Sequence, residues 1–194
     1  MFYKVAFAIV KGLMYLLNGK PKIENKEKLP QGNYIMAGPH KTWWDPLYFA
    51  IAGEPKEYAF MAKKELFKNR FFAWVLDHVN VFGVDREHPG PSAIKIPVRY
   101  LTKTDLSLIM FPSGTRHSEQ LKGGIALIAK MAKVPIVPAV YEGPTNFRDV
   151  LKRKKIAIRF GDPIDISDLR RMSPENIKVV EQRMNEAFDA LKTK

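Results

Sequence analysis

His40 and Asp45 stand with four residues between them in Gly38-Pro39-His40-Lys41-Thr42-Trp43-Trp44-Asp45-Pro46. A carboxylate on one ring nitrogen of an imidazole fixes its tautomer, and the other nitrogen can then accept a proton from a hydroxyl. Such a pair is a general base that needs no nucleophilic serine or cysteine. The apolar run Tyr34 to Ala37 enters the Gly-Pro breaker as a strand, and Asp45-Pro46 combines an N-cap with the residue best suited to open a helix. His40 therefore falls in a strand-to-helix turn. Taken alone, Asp45 could equally be only a helix cap.

A second segment has the same design. Leu108 to Phe111 is an apolar strand, and Pro112-Ser113-Gly114-Thr115-Arg116-His117 is the turn that follows it. Backbone N–H groups of a glycine turn beside a planar guanidinium suit a phosphate monoester better than a neutral ligand. His117 has no carboxylate in view and receives no catalytic role.

Together these segments resemble the glycerolipid acyltransferase family, in particular its bacterial branch that acylates 1-acyl-glycerol-3-phosphate. His40 to Asp45 matches the family's His-x4-Asp block, and Phe111 to Arg116 its Phe-Pro-Glu-Gly-Thr-Arg block. Val84-Asp85-Arg86 is similar to the block in which an arginine follows an apolar strand, and Val134 to Pro138 to the apolar fourth block. Four blocks in the family's order, over roughly residues 34 to 143, are far more specific than one match. The resemblance implies transfer of a fatty acyl group from an acyl thioester, acyl-CoA or acyl carrier protein, to the 2-hydroxyl of lysophosphatidate. Glycerol-3-phosphate or another lysolipid is the alternative acceptor. His40 and Asp45 would be catalytic. Arg86, Arg116 and Lys122 would hold the phosphate, with donors from Gly114 and Thr115, and Ser113 and Pro138 would border the substrate. No cofactor is implied beyond the thioester co-substrate. Ser113 departs from the pattern: it keeps a hydroxyl where the family carries glutamate, which lowers the negative potential around Arg116. Outside the block order, Arg86 reads as a surface partner of Asp85 or Glu87, and Lys122-Gly123-Gly124 as a loop before a helix.

Composition sets the outer bounds. The 194 residues fit one domain with a sizeable core. With 32 Lys and Arg against 20 Asp and Glu, the net charge of +12 favours a polyanionic partner. Absence of cysteine excludes disulfides, thiolate metal sites and a thiol nucleophile. The four histidines show no metal-binding spacing, so no metal is expected. A nucleic-acid partner is not expected either, because no RNP-like run, zinc finger or basic zipper is present. Trp43 and Trp44 read as at least one core residue. The run Lys152 to Lys155 reads as a solvated hairpin end, with an acidic carrier or anionic headgroups the weaker assignment.

Residues 1–18 are mostly apolar, with Lys4, Lys11 and Asn18 spaced by seven along one helical stripe. The segment is too polar to span a bilayer and lacks a cleavage site. It lies either in the membrane interface with its lysines toward headgroups, or on the domain with its stripe in water. The aromatic and long aliphatic residues Phe2, Phe7, Leu13, Tyr15, Leu16 and Leu17 favour an anionic membrane surface, and substrate supply places the chain on the cytoplasmic leaflet as a peripheral or monotopic protein. Residues 1–30 are thus an amphipathic anchor and linker, and residues 31–194 an α/β domain. Alternating strand and helix signals predict a single layered domain with a mixed, largely parallel sheet flanked by helices. Strands are expected at 34–37, 57–61, 81–84, 107–111, 135–141 and 155–160. The helices fall at 46–52, 65–78, 91–103, 124–133 and 174–191. His40, Arg86 and Arg116 would then lie just beyond strand ends, on the rim where open α/β sheets bind ligands.

Overall fold

Short β-branched and apolar runs, each followed by a helix long enough to cross back over the sheet, build a right-handed parallel layer almost by necessity. The computed structural model describes residues 2–85, 88–113 and 123–192. The strands are β1 (Lys22–Glu24), β2 (Ile35–Ala37), β3 (Tyr58–Lys63), β4 (Val81–Val84), β5 (Ser107–Met110), β6 (Ile136–Glu142) and β7 (Ala157–Phe160). The helices are α1 (Phe2–Asn18), α2 (Asp45–Ala52), α3 (Arg70–His78), α4 (Ser92–Lys103), α5 (Gly124–Ala132), α6 (Phe147–Leu151) and α7 (Pro174–Leu191). The strands form one seven-stranded sheet in the order β1-β7-β6-β2-β5-β3-β4. Strands β6, β2, β5, β3 and β4 are mutually parallel, β7 is antiparallel to β6, and β1 runs parallel to β7. The mixed, largely parallel sheet expected from the sequence is the one observed.

Side chains alternate across the pleat, so each central strand feeds two cores. Met36, Ile109, Val137 and Tyr141 face α2 and α1 together with Phe49. Ile35, Ala37, Leu108 and Val140 face the opposite layer with Ile125, Val180 and Phe188. Gly38, the residue after β2, is held where a Cβ would lie 2.5 Å from the Ala139 carbonyl oxygen and 2.7 Å from the Phe49 ring. Only glycine lets the chain leave β2 beneath α2 at this point.

Several boundaries differ from the sequence expectation for physical reasons. Lys22–Glu24, expected within the linker, pairs with β7 from Lys22↔Ala157 to Glu24↔Arg159. Arg159 anchors that edge through its Nε, 2.7 Å from Glu24 Oε2. The single helix expected over 65–78 is split into a 3₁₀ turn over Lys64–Phe67 and α3. Asn69 causes the break: its backbone is extended and its side chain accepts from the Phe71 and Phe72 N–H groups. Pieces as short as α6 carry too little periodicity to be seen in advance.

The orientation of α1 is also a correction. Both expected arrangements turned its polar stripe outward, toward headgroups or water. The structure turns much of that stripe toward the domain instead. Lys11 pairs with Glu54 and the buried Asn18 donates to the Lys154 carbonyl at 2.7 Å, whereas Lys4, 3.8 Å from Glu57, stays 80% exposed. The Glu54 carboxylate holds the Lys11 ammonium above its usual range. Tyr3, Phe7, Val10 and Met14 accompany the stripe inward, and Val5, Ile9, Leu13 and Leu16 are left exposed. No helix among the described residues is long and apolar enough to cross a membrane.

Candidate active site

The site grows out of register. In the pairing of β2 with β5, Ala37 stands beside Met110, so the loops leaving both strands emerge side by side. Phe111, one residue past β5, therefore meets His40, three residues past β2. Their rings stack with centroids 4.1 Å apart and planes 24° from parallel, and Phe49 continues the stack at 5.9 Å from Phe111. The imidazole is held on its face by aromatic packing and on its edge by Asp45.

Asp45 is fully buried at the first turn of α2. Its carboxylate does not cap the helix forward. It turns back on the loop, where Oδ2 accepts the Lys41 N–H at 2.6 Å and the Thr42 N–H at 2.7 Å. The Thr42 hydroxyl donates to Oδ1, and His40 Nδ1 lies 3.3 Å from Oδ2. Four donors thus converge on one buried carboxylate and fix the loop and the ring together. With Nδ1–H donating to Asp45 Oδ2, Nε2 is the nitrogen that can take a proton from a substrate hydroxyl. The 3.3 Å separation is long for an N–H···O bond, as catalytic contacts often are before substrate binds.

His40 opens onto a cavity of about 300 Å³ at the C-terminal ends of the parallel strands. Its described walls include Met61 and Val84 from the strands, Ile94 from α4, Phe111 and Pro112, and Gly124 at the start of α5. This is the size range of a small-ligand site, and the lining is mostly apolar. An apolar wall beside a general base suits a substrate that joins a hydrocarbon to a reactive oxygen.

The sequence-predicted residues fall into three groups. His40 and Asp45 come together as the pair. Ser113 is buried just past Pro112, and Pro138 is buried in β6 opposite Ala37, its ring against Gly161 and away from the cavity walls. Arg86, Gly114, Thr115, Arg116 and Lys122, and also His117, lie outside the described residues. Strand β4 is separated from β5 by β3, so the three strand ends expected to be neighbours share one rim without all being adjacent. Trp44 is core, its indole N–H donating to the Tyr141 hydroxyl at 3.1 Å, whereas Trp43 is exposed. Thr42 and Phe111 are the functional residues that sequence reasoning did not single out. Thr42 could have been found as a hydroxyl inside the His-x4-Asp turn; Phe111 depends on the register of β2 with β5.

A family model described as Acyltransferase matches residues 20–142, which include the His40–Asp45 turn, β2 to β6 and the cavity walls. The chain belongs to the acyltransferase family. This acyltransferase is 49% identical over 193 residues to the 1-acyl-sn-glycerol-3-phosphate acyltransferase of Streptococcus pneumoniae, covering 98% of this chain and 73% of that protein. It is 37% identical over 182 residues to the protein of the same name from Bacillus subtilis, covering 92% and 91%. Its fold matches the crystal structure of the 1-acyl-sn-glycerophosphate (LPA) acyltransferase PlsC from Thermotoga maritima. The TM-score is 0.71 at 23% identity, over 99% of this chain and 80% of that one. The layered sheet of the acyltransferase is therefore shared with PlsC.

Thr42 offers a test of the carboxylate clamp in this acyltransferase. Thr42→Val keeps the shape but removes the buried hydroxyl donor to Asp45, a bond to a charged group worth about 1.5–3 kcal/mol. Thermal denaturation should show the loss, and kcat should fall about tenfold as the imidazole loses its seat. Thr42→Ser should restore both.

Proposed function

We propose that the chain transfers a fatty acyl group from an acyl thioester to the 2-hydroxyl of 1-acyl-glycerol-3-phosphate, giving phosphatidate in phospholipid synthesis. The observation that carries this reading is the buried Asp45 carboxylate fixing His40 at the edge of an apolar cavity, in a chain whose relatives bear that activity in their names. His40 Nε2 takes the proton from the 2-hydroxyl as its oxygen attacks the thioester carbonyl carbon. A carbon–oxygen bond forms, the carbon–sulfur bond breaks, and the departing sulfur takes the proton from the imidazolium. No acyl-enzyme intermediate is formed, and the donor is acyl-CoA or acyl carrier protein. A well-placed base contributes about 10²–10⁴ to the rate, and positioning of the two substrates supplies much of the remainder.

Arg86, Arg116 and Lys122 bind the substrate phosphate in this reading, with donors from Gly114 and Thr115 and with Ser113 alongside. Support comes from their neighbours in the chain. Asp85 immediately precedes Arg86 and lines the cavity, as does Gly124 at the positive end of the α5 dipole. The exposed apolar stripe of α1, backed by a net charge of +12, rests on the anionic surface of the cell membrane at its cytoplasmic leaflet. The deciding experiment is thiol release from acyl-CoA and from acyl carrier protein by the purified chain. Release that requires lysophosphatidate supports the reading. Release with glycerol-3-phosphate instead moves the acceptor to that alcohol, and release without any acceptor means hydrolysis.

A further inference from the structure

Helix α3 is short, and none of its nine residues is buried. Phe71, Phe72 and Trp74 are 68%, 58% and 50% exposed, and Leu66 in the preceding turn is 55% exposed. Three aromatic side chains facing water on one helix are costly unless something apolar covers them. They are not loosely held. The Asn69 side chain caps the helix through the N–H groups of Phe71 and Phe72, at 2.9 and 3.2 Å, which fixes the first turn. The Trp74 ring meets Phe2 edge to face at 5.2 Å, so the cluster is continuous with the exposed stripe of α1. Cations border it: Lys63, Lys64, Lys68 and Arg70 fall within eight residues and all are exposed, with Lys64 also bound to Asp85.

We propose that the α3 cluster inserts into an anionic bilayer as a second contact point beside α1, and that this seats the rim of the cavity at headgroup level. The charge selects the occupant. Lysines and an arginine beside exposed aromatics match an anionic lipid surface, whereas a net charge of +12 opposes pairing two copies of the chain through this face. Tryptophan and phenylalanine with flanking cations are the residue types that settle at a bilayer interface. The position links insertion to catalysis. Helix α3 is the crossover between β3 and β4, whose Met61 and Val84 line the cavity, and the Lys64–Asp85 ion pair ties the turn before α3 to the cavity wall. A lysolipid lying in the membrane would present its glycerol hydroxyl at that rim without leaving the interface. This consequence rests on the proposed acceptor; the insertion itself does not.

The test uses the whole chain and vesicles of phosphatidylcholine alone or mixed equally with phosphatidylglycerol. The wild type should co-sediment with the anionic vesicles, and Phe71→Ser/Phe72→Ser should weaken that binding by about tenfold or more. Turnover on detergent-dispersed substrate and the melting temperature should be unchanged in that variant. In a Trp43→Phe background, which leaves the buried Trp44 and the exposed Trp74, fluorescence should be quenched by bromine-labelled lipid, and Trp74→Phe in that background should abolish the quenching. Equal vesicle binding by the wild type and the double variant, or unquenched Trp74, overturns the proposal. A wild type that ignores vesicles but forms dimers that the double variant cannot form overturns it in favour of self-association. If insertion is seen while lysophosphatidate is not acylated in detergent, the membrane contact stands and the acceptor assignment falls.

Discussion

His40→Ala should lower the rate of thiol release in the presence of lysophosphatidate by about 10²–10⁴-fold, the usual contribution of a positioned base. The fold should survive. Among the described residues the imidazole is packed on the Phe111 ring and bonded to Asp45, so its removal costs about 1 kcal/mol of stacking, a fall of roughly 2–4 °C in Tm for a chain of this size. KM for the acyl donor should stay near that of the wild type, because the role proposed for His40 is on the acceptor hydroxyl. Retention of more than about a tenth of the activity, against the expected loss of 10² or more, would remove His40 from the mechanism.

Asp45→Ala should damage both activity and folding, and the contrast with His40 is the informative part. Alanine would leave the Lys41 N–H in a part-buried position, and the Thr42 N–H and hydroxyl in a buried one, without their acceptor. Each such loss costs about 1–3 kcal/mol. Together they consume a large share of the roughly 5–15 kcal/mol that holds a domain of this kind. A strongly lowered melting temperature or insoluble protein is the expected result. Asp45→Asn separates the two roles. Its amide oxygen can still accept from the two backbone N–H groups, so most stability should remain. The same oxygen faces His40 Nδ1 but, being neutral, no longer stabilises the imidazolium that forms when the base takes its proton, so activity should fall by about 10² or more. Melting curves and thiol release on the two variants, read together, test whether Asp45 orients the base as well as shaping the loop.

What could be read in advance depended on how locally each feature is encoded. β4 and α7 were bounded correctly because their periodicity and their flanking turns, with Ser173 as the cap of α7, lie within a few residues. The His40–Asp45 pair was legible for the same reason: one turn contains both partners and most of the donors. The stack of His40 on Phe111 was not, since it arises from a register between strands more than seventy residues apart. Helix α1 shows the limit most clearly. Its amphipathic stripe was visible, but the side it turns to the domain was decided by Glu54 and Glu57, acidic residues on a distant loop. The Asn69 cap that splits one expected helix into a turn and α3 was present in the sequence, but the aromatic run that follows it masked the break.

The pairing of β1 with β7 also sets a timetable. Glu24 and Arg159 are 135 residues apart, so the edge strand that follows α1 has no partner until β7 has been made. At about 5–20 residues per second of synthesis, that wait is roughly 7 to 27 s. During it, Asn18 has no Lys154 carbonyl to receive its N–H, and α1 is held by its earlier partners, Glu54, Glu57 and the apolar core beneath its inward face. Contacts of such long range form slowly and late, so the membrane contact proposed for α1 would be open to it before its own domain is complete. The order in which the ribosome delivers the strands leaves closure of this sheet edge among the last steps.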